Sequence, residues 1–155
     1  RSLILSEFSS DMSFIRDYDV SLPEFIVDRE KLIQAILNIA RNGAQAMKLN
    51  NQDSMQLSFI TRAERQIVFR KKKHATAIRI DIIDNGPGIK NELIDKIFFP
   101  LVTGNENGSG LGLSLAQNLI SLHQGMIDCH SVPGKTVFSI ILPIENNLTS
   151  TKEKK

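Results

Sequence analysis

The stretch RIDIIDNGPGI, residues 79–89, carries an apolar strand into a glycine turn. It has a companion downstream, GSGLGL at residues 108–113, and between the two lie Phe98, Phe99 and Pro100. Glycine lets the backbone approach a ligand closely and take dihedrals that a Cβ forbids, so two such turns around an intervening segment point to a nucleotide-phosphate site with a lid.

Outward from this pair, the sequence sorts into alternating and helical patterns. Residues 13–20 alternate like a strand, and residues 21–25 read as an extended link around Pro23. A helix is predicted from an N-cap at Asp28 to about Met47, with Leu32, Ile36, Ile39 and Gly43, flanked by Ile33, Leu37, Ala40 and Ala44, as a broad buried face. Its opposite stripe holds Gln34, Asn38, Arg41, Asn42 and Gln45. Residues 54–62, 66–70 and 76–83 read as three strands of a meander, with RKKKH at residues 70–74 as the turn between the last two.

A short helix is predicted over residues 91–97. A longer one spans 111–123, where Leu111, Leu115, Leu119 and Leu122 recur at helical spacing, and residues 126–131 and 136–142 form a final hairpin around Pro133 and Gly134. This order predicts an α+β fold, a two-layer α/β sandwich whose mixed sheet is covered on one face by helices. The domain is placed at residues 13–144. Residues 1–12 read as a remnant of a linker or dimerisation region of a longer protein, and residues 145–155 as a disordered polar tail.

A chain of 155 residues with 41% hydrophobic content can bury one core. The net charge of +2 is small, and its basic residues cluster at residues 70–73 and at Lys152, Lys154 and Lys155, which reads as a solvated hairpin tip and tail rather than a nucleic-acid surface. Cys129 is the single cysteine, so neither a disulfide framework nor a thiolate metal site is expected. No apolar run approaches the roughly 20 residues needed to cross a bilayer, and a cytoplasmic location without membrane contact is expected.

The chemistry concentrates in three places. Asn38 and Asn42 stand one turn apart on the polar stripe, either as a solvated face or as a ligand-facing pair, since an amide oxygen is a hard ligand suited to Mg²⁺. Asp84 either caps an ordinary turn or accepts a hydrogen bond from an exocyclic amine such as that of adenine. Gly108-Ser109-Gly110-Leu111-Gly112 leads into a helix whose free N–H groups favour a di- or triphosphate. It is neither a P-loop, because no Gly-Lys-Ser/Thr follows, nor a dinucleotide fingerprint, because the third glycine comes one residue early.

Taken in order, Asn-x-x-x-Asn on a helix, DNGPGI, the Phe-Phe-Pro segment and GSGLGL resemble the ATP-binding catalytic domain of sensor histidine kinases. That family lies in the superfamily of gyrase, Hsp90 and MutL ATPases, and the resemblance spans residues 14–143. It implies a histidine-kinase ATPase-like fold that binds ATP with Mg²⁺. It makes Asn42 the metal ligand and sets Asn38 and Arg41 facing the phosphates. Asp84 would bind the adenine amine, with Gly86 and Gly88 shaping the base pocket. Phe98 and Phe99 would fall in the aromatic part of the lid, and Gly108, Ser109, Gly110, Leu111 and Gly112 at its phosphate-binding end. Thr136 would support Asp84 and adenine.

The segments IRDYDVSLPE (15–24), RNGAQAM (41–47), the hairpin insertion around 67–74 and FFPLVTG (98–104) look most like the nitrogen-regulation branch of these kinases. That branch implies as partners the kinase's own dimerisation and phosphoacceptor domain, a response regulator and a PII signal protein. The related ATPases carry a glutamate general base one turn before the metal asparagine. Here that position is Asn38, which cannot take a proton, so a gyrase-type ATPase is disfavoured. His74, His123 and His130 lie outside any phosphoacceptor context and read as structural or surface residues, so no nucleophile or base is expected within the chain. The lid lacks the usual cations, having Gly104, Asn105 and Glu106, and residues 98–108 are expected to move without nucleotide. The alternative reading is a regulatory protein-binding module on the same fold without phosphotransfer.

Overall fold

Asp28 sets the first long helix. Its backbone is extended (φ −70°, ψ 100°) and its carboxylate accepts the Lys31 N–H at 3.1 Å, satisfying a donor that the first helical turn leaves free. In the structure, a computed structural model that describes residues 11–69, 71–102 and 110–144, helix α1 (Arg29–Leu49) follows. The remaining elements are β1 (Met12–Tyr18), β2 (Met55–Phe69), β3 (Lys72–Asp84), the short α2 (Asn91–Ile94), α3 (Gly112–Leu122), β4 (Met126–Val132) and β5 (Lys135–Pro143). No helix among the described residues is long and apolar enough to cross a membrane.

The five strands form one mixed sheet in the order β1-β2-β3-β5-β4, with β1 parallel to β2 and the other pairs antiparallel. Alternate residues of the central strands, among them Leu57, Ile78, Ile82, Phe138 and Ile140, are buried with Ile39 and Met47 of α1 and Ile120 of α3. The core is therefore the layer between one sheet face and the helices, as the α+β reading predicts.

Four expectations change. The three-strand meander is a long two-strand hairpin: β2 and β3 pair from Leu57↔Asp84 to Phe69↔Lys72. Polar residues after Arg62 suggested a break, but Glu64 pairs with Arg79 across the ladder, and the irregularity is confined to Gln66 at φ +53°. Of the basic run, Lys72, Lys73 and His74 lie within β3, Lys71 takes φ +61° at the tip, and Arg70 falls outside the described residues.

β1 begins one residue early and ends early too. Met12 is buried, whereas Asp19 turns the chain by accepting from both the N–H and the hydroxyl of Ser21. Helix α2 stops at Ile94, although Ile97 beyond it is still buried. Helix α3 is rotated from the expected face: Ser114, Ala116, Leu119 and Ile120 are buried while Leu111, Leu115 and Leu122 are exposed. Ala116, Leu119 and Ile120 share one face, α3 packs beside α1, and that packing outweighs the leucine spacing.

His123 caps this packing. Its Nε2 accepts the Asp28 N–H at 3.1 Å and its Nδ1 lies 2.8 Å from the Leu119 carbonyl, so the ring joins the end of α3 to the start of α1. Of the boundary segments, residues 1–10 and 145–155 lie outside the described residues.

Candidate functional site

Asp84 is the last residue of β3 and only 6% exposed. Its Oδ1 accepts the Gly86 N–H at 2.9 Å, which closes the turn back onto the carboxylate. Burial pushes the carboxyl above its usual range, with the Gly86 hydrogen bond opposing in part. Two glycines make room for it. A Cβ at Gly43 would stand 2.8 Å from Oδ2, and one at Gly86 would stand 2.8 Å from Oδ1.

The turn after Asp84 is held from the other side by the β4–β5 connection. Gly134 N–H donates to Gly86 O at 2.8 Å, and Ile89 N–H donates to Ser131 Oγ at 2.8 Å. Gly88 takes φ +85°, and a Cβ there would meet the Val132 and Pro133 backbone at 3.0 Å, so the position needs glycine on both counts. Asn85 anchors the opposite flank, its side chain accepting from the Gln56 N–H at 2.8 Å and donating to Ser54 O at 3.0 Å. Thr136 pairs directly with Asp84 across the β3–β5 ladder, is buried, and lies 2.9 Å from Ser131 Oγ.

On α1 the polar stripe is not uniform. Arg41 and Asn42 are exposed, but Asn38 is half-buried with its Nδ2 fully enclosed and, among the described residues, without a hydrogen-bond partner. Its Oδ1 lies 3.5 Å from Arg41 Nη1. A buried amide donor without a partner is uncommon in a native fold.

The phenylalanine pair splits. Phe98 packs edge-on against Phe138 of the core, with centroids 6.3 Å apart at 83°, whereas Phe99 is 60% exposed. Phe98 thus anchors the start of the intervening segment on the core. The far end closes on Leu101, whose N–H donates to Gly110 O at 3.0 Å. Gly110 is at φ +65°, and a Cβ there would lie 2.7 Å from Leu101 Cα. Leu111 precedes α3 without a side-chain capping hydrogen bond, and among the described residues a Cβ at Gly112 would meet nothing within 4 Å. Gly108 and Ser109, and residues 103–107 of the segment expected to move, lie outside the described residues.

Asp84, Gly86, Gly88 and Thr136 are therefore built into one assembly, with α1 passing over it at Gly43. Among the described residues no group of three His, Cys, Asp or Glu side chains is placed to hold a metal. An ion here would take its other ligands from phosphate and water, which suits Mg²⁺ and the amide of Asn42.

Residues 27–146 match the family of histidine kinase-, DNA gyrase B- and HSP90-like ATPases. The chain belongs to this family. Similar proteins in it include the sensory histidine kinase/phosphatase NtrB of Vibrio alginolyticus, 46% identical over 144 residues, and that of Salmonella typhimurium, 44% identical over 143. These alignments cover 93% and 92% of this chain but 41% and 40% of the relatives, so the chain spans about two fifths of the curated relatives it matches. The fold is also that of the nucleotide-free catalytic domain of histidine kinase ThkA, with TM-score 0.67 at 24% identity over 86% of this chain and 80% of that one. The mycobacterial sensor histidine kinase MprB gives TM-score 0.69 at 22% identity, over 88% and 86%.

Within this ATPase family fold, sequence reading had missed two residues of the assembly. In the sequence Gly43 reads only as part of a buried helical face. Glycine costs about 1 kcal/mol against alanine inside a helix, and that cost was the available signal. Ser131 gave no signal beyond being polar in a strand.

Proposed function

We propose that the chain is the ATP-binding catalytic domain of a two-component sensor histidine kinase, and that it holds Mg-ATP while the γ-phosphate passes to a histidine on a separate dimerisation domain. The observation that carries this reading is the pairing of a buried, glycine-enclosed Asp84 with an amide, not a carboxylate, at position 38. Asp84 is suited to accept from the exocyclic amine of adenine, and Thr136 beside it to complete the edge of the base. Asn38, one turn before Asn42 on α1, would face the phosphates, with Arg41, whose Nη1 lies 3.5 Å from Asn38 Oδ1, supplying positive charge.

Asn42 would hold Mg²⁺, whose contribution when bound is to neutralise charge on the phosphates. Position 38 offers no general base for water. Phosphoryl transfer needs positioning more than covalent help, and a histidine imidazole is itself the nucleophile, so the chain's own task is orientation.

None of the described histidines suits the acceptor role: His123 is engaged at both ring nitrogens, and His74 and His130 lie on strands β3 and β4. Leu101, which meets Gly110 before α3, and Phe99 are exposed, and in this reading the kinase's own phosphoacceptor domain is the protein partner at this edge. The similarity to NtrB proteins supports a role in nitrogen regulation, with a response regulator receiving the phosphate and a PII signal protein controlling the kinase.

The test mixes the chain, ATP and Mg²⁺ with a separately purified dimerisation fragment of the NtrB type. Phosphohistidine should form on the fragment, with little steady ATP hydrolysis by the chain alone and a loss of labelling in Asn42→Asp. Steady turnover without the fragment would favour a gyrase-type ATPase. ATP binding without any transfer would favour a regulatory binding module.

A further inference from the structure

Three segments meet at the hydroxyl of Ser131. In β4 it accepts the N–H of Ile89, which leaves the Gly86–Gly88 turn, and it lies 2.9 Å from Oγ1 of Thr136 in β5, the register partner of Asp84. A hydroxyl has one hydrogen and two acceptor lone pairs. Ile89 takes one lone pair of Ser131. What the Ser131 hydrogen does then decides what Thr136 can offer.

Among the described residues Ser131 is the hydrogen-bond partner of the Thr136 hydroxyl, which is 3% exposed. If Thr136 donates to Ser131, its hydrogen is spent and it presents only lone pairs to the pocket. If Ser131 donates to Thr136, the threonine hydrogen is free to point toward the space beside Asp84. Asp84 as acceptor and Thr136 as donor, side by side on paired strands, match the edge of a 6-aminopurine, which offers an amine next to an unprotonated ring nitrogen. A 6-oxopurine presents the opposite pattern at both positions.

We propose that Ser131 is a positioning residue for base recognition: it fixes the Thr136 hydroxyl beside Asp84 and, by donating its own hydrogen to Thr136 Oγ1, frees the threonine hydrogen to enter the pocket. This rests on the reading of the site as an ATP site. It adds a residue that touches no nucleotide yet sets the hydrogen-bond polarity of one that does. The same hydroxyl ties the exit of the glycine turn to β4, so turn position and base reading are coupled through a single atom.

The experiment is a calorimetric titration of the full chain with ATP and with inosine triphosphate, for wild type, Ser131→Ala, Ser131→Cys, Ser131→Thr and Asn42→Ala. In Ser131→Ala the preference for ATP over inosine triphosphate should fall about fivefold to tenfold, the loss of one ordinary hydrogen bond. Ser131→Cys, close in size with a weaker donor, should fall in the same direction and covers the case in which the alanine variant does not fold. Ser131→Thr should restore the preference. Asn42→Ala should weaken both nucleotides by a similar factor and leave their ratio unchanged. If Ser131→Ala or Ser131→Cys weakens both nucleotides equally, Ser131 is structural only and the inference fails while the ATP-site reading stands. If wild type binds neither nucleotide, both fail.

Discussion

A Cβ on Gly43 would stand 2.8 Å from Oδ2 of Asp84 and 3.1 Å from its Cβ and Cγ, so α1 can cross the end of β3 only because position 43 has no side chain. Gly43→Ala should gain about 1 kcal/mol of helix propensity and lose about 1–3 kcal/mol to overpacking. The expected net is a modest destabilisation with loss of ATP binding, read by urea melts and calorimetry. Adding Asp84→Ala should return part of the stability, since it removes the contacts with Oδ2 and Cγ but keeps the 3.1 Å contact with Cβ, without returning binding.

Asp84 also sets a pH dependence. Burial raises its carboxyl in the folded state, so the native chain holds that proton more tightly than the unfolded one. The stability it contributes is complete below the ordinary carboxyl value of 3.8 and is lost as pH rises through the raised folded value. Asp84→Asn should therefore melt above wild type at neutral pH in the absence of ligand, with the gap narrowing toward acid. Thermal scans across pH measure this, and the same variant should lose ATP affinity because an amide donor would face the adenine amine.

Leu101 and Gly110 make a paired test at the two ends of the segment between them. Leu101 holds φ +66° while 75% exposed, so Leu101→Gly relieves a left-handed conformation at little burial cost and should stabilise by about 1 kcal/mol. Gly110→Ala meets both the φ of +65° and the Leu101 backbone at 2.7 Å, and should destabilise by more than that gain. Denaturant midpoints of the two variants should move in opposite directions.

His123 should be the Nδ1–H tautomer, because its Nε2 accepts from Asp28 and its Nδ1 faces a carbonyl. Nitrogen-15 shifts of the ring report this directly. His123→Ala should cost about 1 kcal/mol, the ordinary worth of a hydrogen bond, by leaving the Asp28 N–H at the start of α1 without its acceptor.

Much of this was legible in the chain because it depends on local chemistry. Asp28 as N-cap, the glycines that take positive φ at 88 and 110, and the alternation of β5 are set by each residue and its near neighbours. The linear order of Asn38, Asn42, Asp84 and the glycine turns likewise sufficed to reach the ATPase family that residues 27–146 match. What resisted reading was whatever depends on contact between distant segments. The leucine spacing of α3 misled because packing beside α1 buries the face of Ala116, Leu119 and Ile120, and the meander misled because Glu64 finds Arg79 across the ladder.

By itself, then, the sequence determined where the helices start, that glycine turns flank the segment between them, and that no carboxylate base stands at position 38. Only the tertiary structure decided that Gly43 clears space for Asp84, that Phe98 is an anchor while Phe99 is exposed, and that Ser131 joins Ile89 to Thr136. The physical reason is range. Dihedral preference and capping act within a few residues, whereas excluded volume and hydrogen-bond pairing act between atoms that meet only once the sheet and helices have packed.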